Sequence, residues 1–376
     1  MKFAGKSEFP TISTVCLSRN LISLEEQEMS QLSYQQPGLT VQKGGADATK
    51  QQIKDLQRDL RSLGYLKSGI DGKFGNLTRS AVQALQYDLL FNEGKSTGND
   101  GSAPVMVIDY NRNRVVDVTG VVDQDLAGCI SDMLEDPDIP LLPKADNPKE
   151  ENGKIADRIL GMSSDEVPIP FLAAILKQES GVKHFSEPGH GDEDTYITVG
   201  MDTNSDRKHI ITSRGYGLGQ YTLFHHPPRK EEVEGFMLDA GKNLVKAMDE
   251  LKDKFDHFVN GATSGTRADD RIAEYGSGEL RRCKYAATDL RYLKDCKQCL
   301  KNAGVEEIRM GVTPFYRGCE NVFYVTQYYK KRVYYNVPVR RNIGCDWPYA
   351  VRRYNGSGVN SYHYQARVLK HLYGLS

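Results

Sequence analysis

Glu179 closes a stretch of chain whose residue types suit proton transfer. In residues 168–180, Phe171, Leu172, Ile175 and Leu176 recur at helical spacing, and Glu179 falls on the same face one turn later. A carboxyl set against an apolar wall keeps its proton to higher pH, because desolvation disfavours the anion. A general acid for a glycosidic oxygen needs that property. Gly181 ends the helix at once, so Glu179 is expected at the rim of a cleft. The plainer reading is an ordinary Glu at a frayed helix end.

Two further blocks carry polar groups suited to a sugar. Arg214-Gly215-Tyr216-Gly217-Leu218-Gly219-Gln220 lacks the Lys-Ser/Thr ending of a phosphate loop. Its glycines would let a sugar approach the backbone, and the Gln220 amide could bond an acetamido group. Arg353-Tyr354-Asn355-Gly356-Ser357-Gly358 breaks the last helical region, offering a Tyr hydroxyl and an Asn amide at a kink. Taken singly, each block reads as a turn.

In this order, Glu179-Ser180, Gly217-Leu218-Gly219-Gln220 and Tyr354-Asn355-Gly356-Ser357-Gly358 resemble the motifs of lytic transglycosylases and goose-type lysozymes. The resemblance implies that Glu179 is the catalytic acid and then the base. It implies substrate-binding roles for Ser180, Gly217, Leu218, Gln220, Tyr354 and Asn355. Two positions depart from the pattern: Gly219 stands where Met is usual, and Arg353 where a small residue precedes the Tyr. Goose-type enzymes carry an Asp shortly before the glycine block, where this chain has Thr212-Ser213. Asp192, Asp194 and Asp202 are the candidates for a second carboxylate, with Glu193 and Asp206 nearby. With no clear base for water, the 6-hydroxyl of the sugar is the favoured nucleophile, and the expected activity is that of a lytic transglycosylase. The alternatives are a hydrolytic muramidase and a wall anchor that has lost activity.

Upstream, residues 53–90 resemble small three-helix peptidoglycan-binding domains. The matching positions are Leu56-Gln57, Leu60, Gly64-Tyr65, Asp71-Gly72, Phe74-Gly75, Thr78, Ala81-Val82 and Leu85-Gln86. Gly72 and Gly75 are expected at positive φ in a tight turn, with Phe74 plugging the gap between two helices and Thr78 capping the second. A hairpin is expected at 105–118, turning at Asn111 and Asn113, then a helix at 123–134.

Positioning these groups requires a mainly α fold. The expected arrangement is a leader or linker at 1–46, a three-helix peptidoglycan-binding domain at 47–140 and a proline-rich linker at 141–151. An α+β lysozyme-like domain with a small β-ribbon at 195–222 would follow at 152–376, holding a Cys/Tyr-rich insertion at about 260–345. Helices are expected at 154–161, 168–180, 231–258 and 347–373. At 376 residues the chain is long enough for such domains, and 39% hydrophobic with 26% charged residues is ordinary for a globular protein. A net charge of −1 gives no reason to expect nucleic acid, and no stretch is apolar enough to span a bilayer. The expected partner is the peptidoglycan glycan strand, on the cell-wall side of the envelope, although no signal peptide is visible at the start.

No cofactor or metal is expected. Asp202-x-Asn204-x-Asp206 opens like a calcium loop but lacks its glycine and glutamate, and His225-His226 reads as core or surface. Seven cysteines leave at least one thiol unpaired within the chain. Cys283, Cys296, Cys299, Cys319 and Cys345 are expected to be oxidised and metal-free, as suits an exported enzyme. Tyr324, Tyr328, Tyr329, Tyr334 and Tyr335 suggest a hairpin beside the cleft.

Overall fold

Thr49 starts the first helix with a reciprocal cap. Its hydroxyl accepts from the Gln52 amide at 3.2 Å, and the Gln52 side chain accepts from the Thr49 amide at 2.8 Å. Helix α1 (Lys50–Ser62) then lays Leu56 and Leu60 into a core shared with α2 (Asn76–Phe91) and α3 (Gln124–Glu135). In this computed structural model the described residues are 31–96, 105–164, 166–255, 346–356, four short strands between 307 and 336, and 364, 367, 368, 371 and 372. Cys16 and the cysteine cluster at 283–345 lie outside them.

The turn between α1 and α2 is organised by Gln57. Its buried amide donates to Asp71, Lys73 O and Thr78, and its carbonyl accepts from Gly72 N at 2.8 Å. Gly72 does take a positive φ of 74°, but Gly75 has a φ of −85° and serves as the N-cap of α2. Thr78 lies in the first turn of α2, and its hydroxyl receives the Gln57 bond rather than capping the helix.

The module begins earlier than the sequence suggests. Tyr34 and Val41 are buried in its core, Tyr34 donates to Asp59 at 2.5 Å, and Val41 pairs with Val122. Residues 32–46 are therefore part of the module, not a linker. The expected hairpin at 105–118 is also absent. Residues Val107–Tyr110 form a 3-10 turn, and the Asn111 side chain bonds both N–H and C=O of Val115, taking the place of ladder bonds.

Residues 141–146 are a packed strap rather than a free linker. Leu142 and Ala145 are buried, Leu142 N donates to Ser62 O, and Ala145 N donates to Thr195 O. Helix α4 (Pro148–Leu160) follows, capped by Asn147, then α5 (Ile169–Ser180). A three-stranded antiparallel sheet comes next: β1 (Val199–Thr203), β2 (Ile211–Tyr216) and β3 (Tyr221–Leu223), in that order. The expected ribbon is thus present with a third strand, and the glycine block lies within it: 214–216 on β2, 217–220 in the β2–β3 turn.

The helix expected at 231–258 is broken. A short α6 (Lys230–Glu232) runs into a π-helical turn, Val233–Met237, before α7 (Ala240–Phe255). Helix α8 (Asp346–Tyr354) packs on α7 and α5, and Trp347 stacks against Phe255 and Phe171. Phe171, Leu172, Ile175, Leu176, Leu218, Leu244 and Val351 form the core beneath the sheet end. The fold is mainly α with a small three-stranded sheet, as expected.

Two further strand pairs lie in the insertion. β4 (Glu307–Arg309) pairs with β7 (Tyr334–Asn336), and β5 (Pro314–Arg317) with β6 (Asn321–Tyr324). The tyrosine stretch is therefore not one hairpin: Tyr324 and Tyr334 each pair with an earlier strand of a different sheet.

Residues 32–376 cluster as one unit, and a polar seam explains why. Arg61, fully buried on α1, donates to Asp194 at 3.0 and 3.2 Å, to Ser186, to Ile197 O and to Leu66 O. Lys54 and Arg58 both pair with Glu193. Arg214 of β2 donates to Gly64 O at 3.3 Å, stacks over Tyr65 at 5.4 Å and approaches Asp88. His226 packs edge-on against Tyr65. A buried charge left without its partner costs about 3–5 kcal/mol, so these pairs tie the two modules in one orientation.

Candidate functional site

The last turn of α5 carries Glu179 to the floor of a cleft of about 880 Å³. Phe171, Leu172, Ile175 and Leu176 are all buried, as their spacing requires, and Glu179 is half-buried above them. Burial pushes its carboxyl up to about 7; the Tyr364 hydroxyl and Arg367 pull it back, and Asp202 adds to the rise. Tyr364 donates directly to Glu179 Oε1. At neutral pH the group therefore exchanges between acid and carboxylate, as a group that first gives and then takes a proton must.

Ser180, next along, does not face the cleft. Its hydroxyl donates to Leu218 O at 2.8 Å and to Leu176 O at 3.2 Å, fastening the helix end to the glycine turn. Leu218 is fully buried in the hydrophobic core, so it anchors the turn rather than touching a ligand. Gly217 has a φ of 69°, and a Cβ there would lie 2.6 Å from His184 Nδ1 and 2.7 Å from Asn243 Nδ2. It too is enclosed. None of these three residues is among those lining the cleft, and each holds the site in shape.

Gln220 and Asn355 do line the cleft. The Gln220 amide donates to Gly217 O at 2.8 Å and Thr198 O at 3.2 Å, so its orientation is fixed and its carbonyl oxygen lies over Gly200 and Gly215. Tyr354 also borders the cleft, with its hydroxyl donating to Gly219 O at 2.8 Å. Gly219 has a packing reason: a Cβ there would come within 2.5 Å of Ala247 Cβ and 2.9 Å of the Tyr354 hydroxyl. The space that a Met would need is filled by α7 and Tyr354. Arg353, the other departure from the pattern, is buried on the cleft wall.

Of the three candidate second carboxylates, only Asp202 shares the cleft with Glu179. It is exposed on β1, opposite Ser213, whose hydroxyl donates to it at 3.3 Å. Asp194 is committed to Arg61 in the seam, and Asp192 packs against Gly69 and Gly189. Neither lines the cleft. At the loop that resembles a calcium site, Asn204 accepts from the amides of Asp206 and Arg207, closing a local turn.

Three contributors escaped the sequence reading. Tyr364 was one tyrosine among 21, with no motif to single it out. Asn243 is buried on α7, bonding Gly219 N at 3.0 Å and Tyr216 O at 3.2 Å; a polar residue on the apolar face of a helix was the available signal. Lys67, from the first module, borders the cleft, and only the docking of the modules brings it there.

Residues 49–92 match the family described as "Putative peptidoglycan binding domain". The first module is a domain of peptidoglycan-binding type. The match spans α1, the turn held by Gln57, and α2, which are the elements whose motif positions are buried or bonded. No curated protein and no solved structure matches the chain. The peptidoglycan-binding domain points to peptidoglycan as partner and to association with the cell wall. Among the described residues no helix is long and apolar enough to cross a membrane.

Proposed function

We propose that the second module cleaves the β-1,4 bond between MurNAc and GlcNAc of peptidoglycan, with Glu179 as acid and then base. The observation that carries this reading is a carboxyl with its pKa raised to about 7, bonded by Tyr364 on the floor of a cleft beside Gln220 and Asn355. The peptidoglycan-binding domain supplies the substrate class.

Protonated Glu179 gives its proton to the glycosidic oxygen, and that bond breaks. The acetamido group of MurNAc supports the positive charge forming at the anomeric carbon. The Glu179 carboxylate then removes the proton of the 6-hydroxyl, whose oxygen bonds the anomeric carbon and closes a 1,6-anhydro ring. The Gln220 carbonyl, held by its amide's two bonds, is an acceptor for an acetamido N–H. The activity is that of a lytic transglycosylase.

Asp202 supports a second reading. A carboxylate sharing the cleft with the acid can activate water, which would make the enzyme a goose-type muramidase with reducing MurNAc ends. Mass analysis of fragments released from purified sacculi, before and after borohydride, separates the two. Ends lighter by one water and resistant to reduction are expected; reducible ends as the main product would move the assignment to hydrolase. Release of no fragments would leave the chain a wall-binding anchor.

A further inference from the structure

We infer that Lys67, supplied by the peptidoglycan-binding domain, is a substrate-positioning cation of the cleft that takes a carboxylate of the muropeptide. The inference rests on the proposed glycan cleavage and adds to it a residue from outside the lysozyme-like half.

Among the described residues, three cationic side chains border the cleft, from Lys67, Lys254 and Arg353. Lys254 is paired with Glu250 at 2.5 Å and lies 3.5 Å from Asp253, and Arg353 is buried. Lys67 is exposed and has no ion pair or hydrogen bond among the described residues. An unpaired ammonium on a long, flexible stem is suited to a mobile anionic group on a ligand.

Its placement is fixed from below. Leu66, the residue before it, is buried, and the Leu66 carbonyl accepts from Arg61 Nη1 at 2.9 Å. The same guanidinium holds Asp194, Ser186 and Ile197 O of the second module. One buried arginine therefore sets the Lys67 backbone against the wall that carries Glu179 and Asp202. A solvated lysine on a free domain would have no such constraint.

The glycan offers a carboxylate from either of two sources. A bare MurNAc carries it on the lactyl group; a peptide-substituted MurNAc carries it further out on the stem. A bare glycan with its lactyl carboxylates methyl-esterified has neither. Steady-state cleavage by the full chain of all three substrates, comparing wild type with Lys67→Gln and Lys67→Arg, tests the inference. In Lys67→Gln, KM for carboxylate-bearing glycan should rise roughly three- to tenfold with kcat within about twofold, as expected for loss of one charge-assisted contact made equally in ground and transition states. KM for the esterified glycan should not move, and Lys67→Arg should restore most of the loss.

A rise on peptide-substituted but not bare glycan assigns the stem carboxylate, a rise on bare but not peptide-substituted glycan assigns the lactyl carboxylate, and a rise on both shows that Lys67 takes either. A merely structural role would move all three substrates together, and that result, or no change on any, overturns the inference. Active wild type with an unmoved KM removes Lys67 alone, whereas inert wild type removes the cleavage reading with it.

Discussion

Tyr364 donates its hydroxyl to Oε1 of Glu179, across 185 residues of chain. The bond holds the carboxyl in one rotamer above the apolar face of α5 and favours its anion, against the burial that favours the acid. The proton affinity of Glu179 is therefore a balance of opposing causes, with burial the largest.

Removing that bond should move the balance in a known direction. In Tyr364→Phe the anion loses a donor, so the carboxyl rises further above about 7. Activity that needs protonated Glu179 falls as pH rises through its pKa, and the alkaline limb of the pH–rate profile should shift upward in the variant. The rate at the optimum should drop as well, since the carboxyl is less well aimed. A profile that does not move, or moves down, would show that Glu179 does not set that limb.

The same shift has a consequence for stability. The folded pKa of about 7 lies above the ordinary glutamate value of 4.5, so the folded chain binds more protons between those values. The contribution of Glu179 is fully present below about 4.5 and is lost as pH rises through about 7, by about 3 kcal/mol. Glu179→Gln does not titrate. Its melting temperature should be close to wild type near pH 4 and several degrees higher near pH 8. Equal differences at both pH values would contradict the raised pKa.

Asp194 and Asp202 were indistinguishable as sequence candidates, and the structure separates their roles. Asp194→Asn leaves the Arg61 guanidinium buried without its counter-charge, and should cost about 3–5 kcal/mol in denaturant unfolding. Asp202 is exposed, so Asp202→Asn should stay within about 0.5 kcal/mol of wild type. It should also lower the alkaline limb, because its charge raises the Glu179 pKa. A neutral Asp194→Asn would dissolve the account of the seam.

What was legible in the sequence was local. Glu179 could be placed because four apolar residues at helical spacing define a face, and Gly181 ends the helix. The α1–α2 turn was legible from Asp71-Gly72 and Phe74, and the ribbon from its two apolar arms. Side-chain bonds between distant segments were not. Arg61 and Asp194 stand 133 residues apart, and nothing in either neighbourhood announces a buried pair. The same gap hid the packed strap at 141–146, which reads as a linker from Pro143 and the prolines on either side, and the inclusion of Tyr34 in the first core. Motif resemblance marks which positions are constrained, and at Ser180, Gly217 and Leu218 the structure shows a packing constraint.

Soluble muropeptide release from purified sacculi, comparing wild type with Glu179→Gln at pH 6, bears most directly on glycan cleavage by Glu179. Gln keeps the size of the side chain and can accept from Tyr364, but it cannot give a proton. Sedimentation with sacculi should persist through the peptidoglycan-binding domain, while release falls by about 10²- to 10⁴-fold. Release by the Gln variant at the wild-type rate would contradict the mechanism.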